Sequence, residues 1–297
     1  MIIFNKLIVL ILPLMPKWFI KIIAKKYIAG TTLEEAINAI KNLNSQGQKV
    51  TLDILGEHTE SILECNNITD DYIRILKEIN KNKLDCNISV KPSHIGSDIN
   101  SNIVVENFFK IQDAANKFDN FIRLDMESSK LTDLTLEVYS NLIKKSSNVG
   151  IVIQAYLYRS MEDIGRLKKN TNIRLCKGIY NESPEIAIKD AQEINNNYIK
   201  LLNHAFDRNI FVGIASHDEK LITRCIDLIK SRNISNNSFE FQYLYGVPMN
   251  KMLKLYKSNN FTVRAYVPYG INWYDYSVRR IKENPKIASY VLKNILK

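Results

Sequence analysis

FIRLDMESSKLTDLTLEVYSNLIKKSSNVGIVIQAYLYRSMEDIGRLKKNTNIRLCK, residues 121–177, decides the fold. It holds three short apolar runs, FIRLDM (121–126), VGIVIQAY (149–156) and IRLCK (173–177), and between them two stretches of helical periodicity at 131–146 and 160–169. Short buried strands joined by amphipathic helices are the units of a parallel sheet. The pattern extends both ways from this stretch. VTLDIL (50–55) and CNISVK (86–91) precede it, and IFVGIAS (210–216), FEFQYL (239–244) and TVRAYV (262–267) follow it, which makes eight strands. Helical patterns fall at 69–82, about 99–118, 185–208, 218–231 and 247–258, with more near 273–282 and 285–296. Ahead of the first strand, Thr31-Thr32 caps the helix LEEAINAIKNLNSQG, which ends at Gly47. Eight strands alternating with helices predict a (β/α)₈ barrel of the TIM type, with a doubly wound open sheet as the alternative. No linker-like composition divides the chain, so it reads as N-terminal helices over 1–46 packed on a catalytic barrel over 47–297.

The 297 residues are 45% hydrophobic and 24% charged, enough apolar material for a large core and too ordered a pattern for a disordered or fibrous chain. The formal net charge is +10. Half of that excess lies in residues 1–30, which contain Lys6, Lys17, Lys21, Lys25 and Lys26 and no acid. The rest is spread thinly, which argues against a nucleic-acid groove. The apolar stretch Met1–Met15 has the look of a signal peptide, but no A-x-A site follows it and it is too short to span a bilayer. One or two amphipathic helices are expected here. They either pack on the barrel or make a peripheral contact with an anionic membrane at its inner face. Cys65, Cys86, Cys176 and Cys225 form no CxxC pair and the four histidines no HExxH, so no metal site is expected and a reduced cytoplasmic chain is the reading.

A (β/α)₈ barrel carries its chemistry where the strands end. Those ends hold Glu57-His58, Lys91, Arg123, Asp125 and Glu127, Gln154, Arg174 and Lys177, Ser216-His217-Asp218, Glu240 and Gln242, and Arg264. Polar side chains in apolar strands need a partner or a ligand. GxGxxG, Walker A and GxSxG are absent, so a nucleotide would not be held by a Rossmann turn. Lys91 or Lys177, if desolvated, could form a Schiff base as in aldolases. Gly178 would let a flat ligand approach closely. In AYVPYGINWYDYSVRR, Tyr276 and Arg279-Arg280 share one helix face, suited to a small molecule with an apolar body and a carboxylate.

Taken in order, VTLDILGE, FIRLDME, IRLCKGIY, GIASHD, FEFQYLYGV and YVPYGINWYDYSVRRIKEN resemble the monofunctional bacterial FAD-dependent proline dehydrogenase family, from about Thr31 onward. The resemblance implies noncovalent FAD at the mouth of a distorted barrel, oxidation of L-proline to Δ1-pyrroline-5-carboxylate, and electrons passed to a membrane quinone. A separate pyrroline-5-carboxylate dehydrogenase would take the product. It implies that Lys91, Arg279 and Arg280 hold the substrate carboxylate, that Tyr266 and Tyr276 shape the pocket, and that Asp125 fixes Lys91 or an arginine electrostatically. Met126, Gln154, Arg174, Lys177, Gly178, Ile179, Ser216, His217 and Glu283 would hold FAD, and Glu57 with Arg174 would form an ion pair closing over the substrate. Ile179 and Ser216 stand where the family usually has alanine and threonine.

Overall fold

The computed structural model describes Ile20, residues 25–274 and residues 276–278. Eight parallel strands close into a barrel in sequence order: β1 (Lys49–Ile54), β2 (Cys86–Val90), β3 (Ile122–Leu124), β4 (Val149–Gln154), β5 (Asn172–Cys176), β6 (Phe211–Ala215), β7 (Phe239–Leu244) and β8 (Val263–Tyr269). The ring is sealed by β1 against β8, with Lys49 opposite Arg264 and Ile54 opposite Tyr269. The open-sheet alternative is thereby excluded.

Helix α1 (Leu33–Ser45) precedes β1, and α2 (Ile62–Lys81), α3 (Ser101–Lys117), α4 (Thr132–Lys145), α5 (Ser160–Arg166), α6 (Ala191–Asp207), α7 (Glu219–Ser231) and α8 (Asn250–Ser258) fill the crossovers. Thr32 forms a capping box with Glu35 at the head of α1, as its sequence predicts. Two helix starts differ from the periodicity. Helix α2 begins seven residues before the expected 69, because the Ser61 side chain accepts from Glu64 N–H and starts the helix ahead of Asn66-Asn67. Helix α6 begins six residues after the expected 185: Asp190 caps it through Gln192 and Glu193 N–H, while Ala187 is drawn into a bridge with Leu157.

The strands alternate sharply between two faces. Val50 and Leu52, Ile88 and Val90, Ile122 and Leu124, and their counterparts around the ring are buried in one apolar cluster with the helices. The intervening residues point down the barrel axis, and most of them are polar. The bonds they make with one another, two of them across the barrel from Arg174, require this. Arg264 Nε and Gln242 Nε2 both donate to Glu240 Oε1 (2.6 and 2.7 Å), Arg174 Nε donates to Gln242 Oε1 (2.7 Å), and Arg174 Nη1 donates to Asp125 Oδ1 (2.6 Å). A polar column thus replaces the layers of branched aliphatics that usually fill such barrels. Burial alone would raise the Glu240 carboxyl, but Arg264 and Arg123 outweigh it and hold the pKa below the ordinary value.

Residues 25–30 form a turn and an extended stretch where the sequence suggested helix. Here the backbone bonds to β8 instead of to itself: Ala29 N–H donates to Pro268 O (2.9 Å) and Gly270 N–H to Gly30 O (3.1 Å). Gly246 makes room for this segment. Its φ is +79°, and a Cβ there would lie 1.6 Å from Lys26 O. The helices expected before residue 25 and beyond 278 lie outside the described residues, apart from the buried Ile20. Among the described residues, no helix is long and apolar enough to cross a membrane.

Candidate active site

The C-terminal ends of the strands enclose a cavity of about 720 Å³. Every described residue to which the resemblance gives a role lines it, from Glu57 after β1 round to Tyr276 after β8, whereas Arg123, Glu240 and Arg264, expected at the strand ends, lie near the strand starts and line a cavity at the other end of the barrel. Arg279, Arg280 and Glu283 lie outside the described residues.

Its floor is a set of buried ionic contacts. Asp125, just past β3, accepts from Ser89 Oγ (2.5 Å), Arg174 Nη1 (2.6 Å) and Tyr266 OH (2.9 Å). The guanidinium of Arg174 also lies 4.9 Å from the Tyr266 ring centroid, a cation–π contact. Burial raises the Tyr266 phenol well above its ordinary pKa, so it remains a donor to Asp125. In this structure the ion partner of Arg174 is Asp125. Ring geometry is the reason. Arg174 rises from β5 into the axis and meets the inward residues of β2, β3 and β7.

Lys91, just past β2, places Nζ 2.6 Å from both oxygens of Asp53 on β1. Asp125 is therefore the partner of the arginine and Asp53 that of the lysine. Burial pushes the Asp53 carboxyl up to about 6 against the pull of Lys91. Burial disfavours the Lys91 ammonium as well, but Asp53 and Asp125 outweigh it and leave its pKa above the ordinary lysine value. The pair is ionic at neutral pH. Sequence reading missed Asp53, although its alternation with Thr51 places it on the same inward face. It also gave Glu127 no task. The Glu127 carboxylate accepts from Ser93 N–H (2.8 Å) and Ser93 Oγ (2.5 Å), which pins the short 3₁₀ turn Pro92–Ile95 that follows Lys91.

The opposite wall is more open. Lys177 Nζ donates to Asp218 Oδ2 (2.7 Å), and Asp218 also caps α7 through Lys220 and Leu221 N–H. The Gly178 backbone has φ +106°, and a Cβ there would lie 2.2 Å from the Tyr156 ring, so the close approach that this glycine allows is to Tyr156. Ile179 is 57% exposed at the rim. His217 accepts through Nε2 from Leu244 N–H (2.9 Å), which leaves a hydrogen on Nδ1 of the neutral ring. Gln154 donates to Glu127 O (2.8 Å), joining the two walls.

Beneath the mouth loop, His94 is buried with Nδ1 unpartnered and packs edge-on to Tyr72 at 6.3 Å. Burial, and secondarily Lys91, lowers its pKa to about 3. Because protonation then favours the unfolded chain, His94 contributes stability that is fully present above the unfolded value of 6.5 and is lost as pH falls towards 3. Its expected contribution between pH 6 and 4 is a slope of about 1.4 kcal/mol per pH unit. Urea unfolding at pH 7, 6 and 5 checks this: His94→Gln should flatten the profile by that amount, and an unchanged slope would reject the assignment.

The comparisons with known proteins agree with this geometry. A family model described as proline dehydrogenase matches residues 36–293. Proline dehydrogenase 2 of Bacillus subtilis (strain 168) is 35% identical over 281 residues, which cover 94% of this chain and 92% of that protein. A proline dehydrogenase of Deinococcus radiodurans is 33% identical over 281 residues, 93% of this chain and 90% of that one. Among solved structures, proline utilization A from Bdellovibrio bacteriovorus, inactivated by N-propargylglycine, matches with a TM-score of 0.82 at 27% identity over 88% of this chain. The match covers 32% of that protein, so this chain spans about a third of its length.

Proposed function

The chain belongs to the proline dehydrogenase family, and from that premise we propose that it oxidises L-proline to Δ1-pyrroline-5-carboxylate with FAD held noncovalently in the mouth cavity. The observation that carries this reading is the charge layout of the cavity. Lys91 and Arg174 stand on its floor and Lys177 on its wall, each tied to a named carboxylate. Such cations suit an amino-acid carboxylate and an electron-rich cofactor.

The residues present fit a flavin. The cavity is of a size that takes a large ligand, and Arg174 Nη2 is buried without a hydrogen-bond acceptor. Met126, Gln154, Lys177, Gly178, Ile179, Ser216 and His217 would hold the cofactor together with Arg174, and Glu283 by resemblance. When bound, FAD supplies the two-electron acceptor that the oxidation needs. The protein's part is alignment and charge. Lys91, with Arg279 and Arg280, takes the substrate carboxylate. Tyr266 and Tyr276 bound the ring, and Asp125 holds Arg174 and Tyr266 in place. A cationic surround favours the neutral proline amine, so no strong general base is required. Electrons then go to a membrane quinone, reached by a cytoplasmic protein through peripheral contact of residues 1–30, and the product goes to a separate pyrroline-5-carboxylate dehydrogenase.

The Schiff-base alternative is weaker. It needs a lysine with a depressed pKa, and Lys91 is shifted the other way by Asp53. The test is the absorption spectrum of the purified full chain. A yellow protein that L-proline bleaches without oxygen is expected, and a protein that binds no added FAD would end the reading.

A further inference from the structure

At the end of the barrel away from the mouth, the first residues of the strands enclose a second cavity, of about 330 Å³. Its wall carries Lys49, Arg123 and Arg264 against a single carboxylate, Glu240, with the side-chain amides of Asn172, Asn236 and Asn237 close by. Glu240 is already occupied, since Arg264 and Gln242 both donate to it. Lys49 is 3.7 Å from Asp85 and half-exposed.

Arg123 is different. It is 1% exposed and lies 5.0 Å from the Phe121 ring centroid. Its contacts are Asn172 Oδ1 at 2.6 Å and Ile151 O at 3.4 Å, and its Nε is buried without a partner. Among the described residues no carboxylate is within ion-pairing distance of it. Burial, with Arg174 and Arg264 nearby, pushes the guanidinium pKa down to about 9 against the pull of Glu240, so it is charged at neutral pH, and the carboxylate that faces it is already shared by Arg264 and Gln242. A buried charge in that state is costly unless an anion joins it.

We infer that this basal cavity is a second ligand site, for a small phosphate-class oxyanion bound by Arg123 with help from Lys49 and the asparagine amides. A tetrahedral oxyanion has enough acceptor oxygens to meet donors arriving from several strands at once. The site is independent of the proline oxidation proposed for the mouth.

Thermal unfolding of the full chain in inorganic phosphate, with chloride balancing ionic strength, tests this. A saturable rise in Tm is expected for the native sequence, with apparent affinity reduced about tenfold or more in Arg123→Gln. Phosphate bound to the mouth cations would also raise Tm, but would be indifferent to Arg123→Gln. Should that variant fail to fold, Lys49→Met, at a half-exposed position, is expected to weaken the effect about threefold, the scale of a partly screened charge. A crystal soaked in selenate should show its anomalous peak beside Arg123. No phosphate-specific rise, equal affinity in the variants, or a peak only at the mouth would overturn the proposal. Tighter binding of glycerol 3-phosphate than of inorganic phosphate would identify an esterified ligand, and weaker binding a free one.

Discussion

Asp125→Ala is expected to lower the free energy of unfolding by about 3–5 kcal/mol, the cost of leaving one member of a buried ion pair uncompensated. Three donors converge on this carboxylate, and the Arg174 guanidinium among them is buried. Proline oxidation should fall by about 10³-fold, because Arg174 and Tyr266 lose the group that orients them. Asp125→Asn keeps the shape but removes the charge, so it should recover part of the stability and little of the activity. Urea denaturation paired with proline-dependent dye reduction measures both effects. Native-like stability in Asp125→Ala would mean that the charge is not needed to hold Arg174.

Lys91→Met should act chiefly on substrate binding. A rise of about 100-fold in KM for proline with a smaller change in kcat is expected, the signature of a lost ground-state contact with the carboxylate. The stability loss should be milder than for Asp125→Ala. Asp53 already titrates at about 6, and without the ammonium it can take up a proton and become a neutral buried acid. Asp53→Asn runs the other way, stranding the lysine, and should lower the Lys91 pKa. Steady-state kinetics from pH 6 to 9 separates the two. An unchanged KM in Lys91→Met would remove the lysine from the substrate site.

The barrel was legible because its outward residues keep the period of two and its crossovers keep that of 3.6, and both patterns survive in a single sequence. Lys91, Asp125 and Arg174 were legible as polar residues at the ends of apolar runs. Their pairing was not. Which inward side chains meet depends on which strands face each other across the ring, and the chain order of Glu57, Asp53, Asp125 and Arg174 contains no trace of it. Asp53 escaped notice for a related reason: within VTLDIL it is a polar residue in a strand, and only the register of β1 against β2 shows that it faces Lys91. Helix starts failed where a side chain at Ser61 or Asp190 outcompeted the periodic pattern.

The seal between β1 and β8 also sets an order of assembly. Residues 49–54 must wait for residues 264–269 before the ring can close, a separation that spans most of the chain. Ribosomes add about 5–20 residues per second, so the first strand spends roughly 10–40 s of synthesis without its last neighbour. During that interval its edge is open, and Asp125 lacks the Tyr266 hydroxyl that comes from β8. The nascent chain can bury its helices against the early strands, but its reaction centre comes into being only when the final strand arrives.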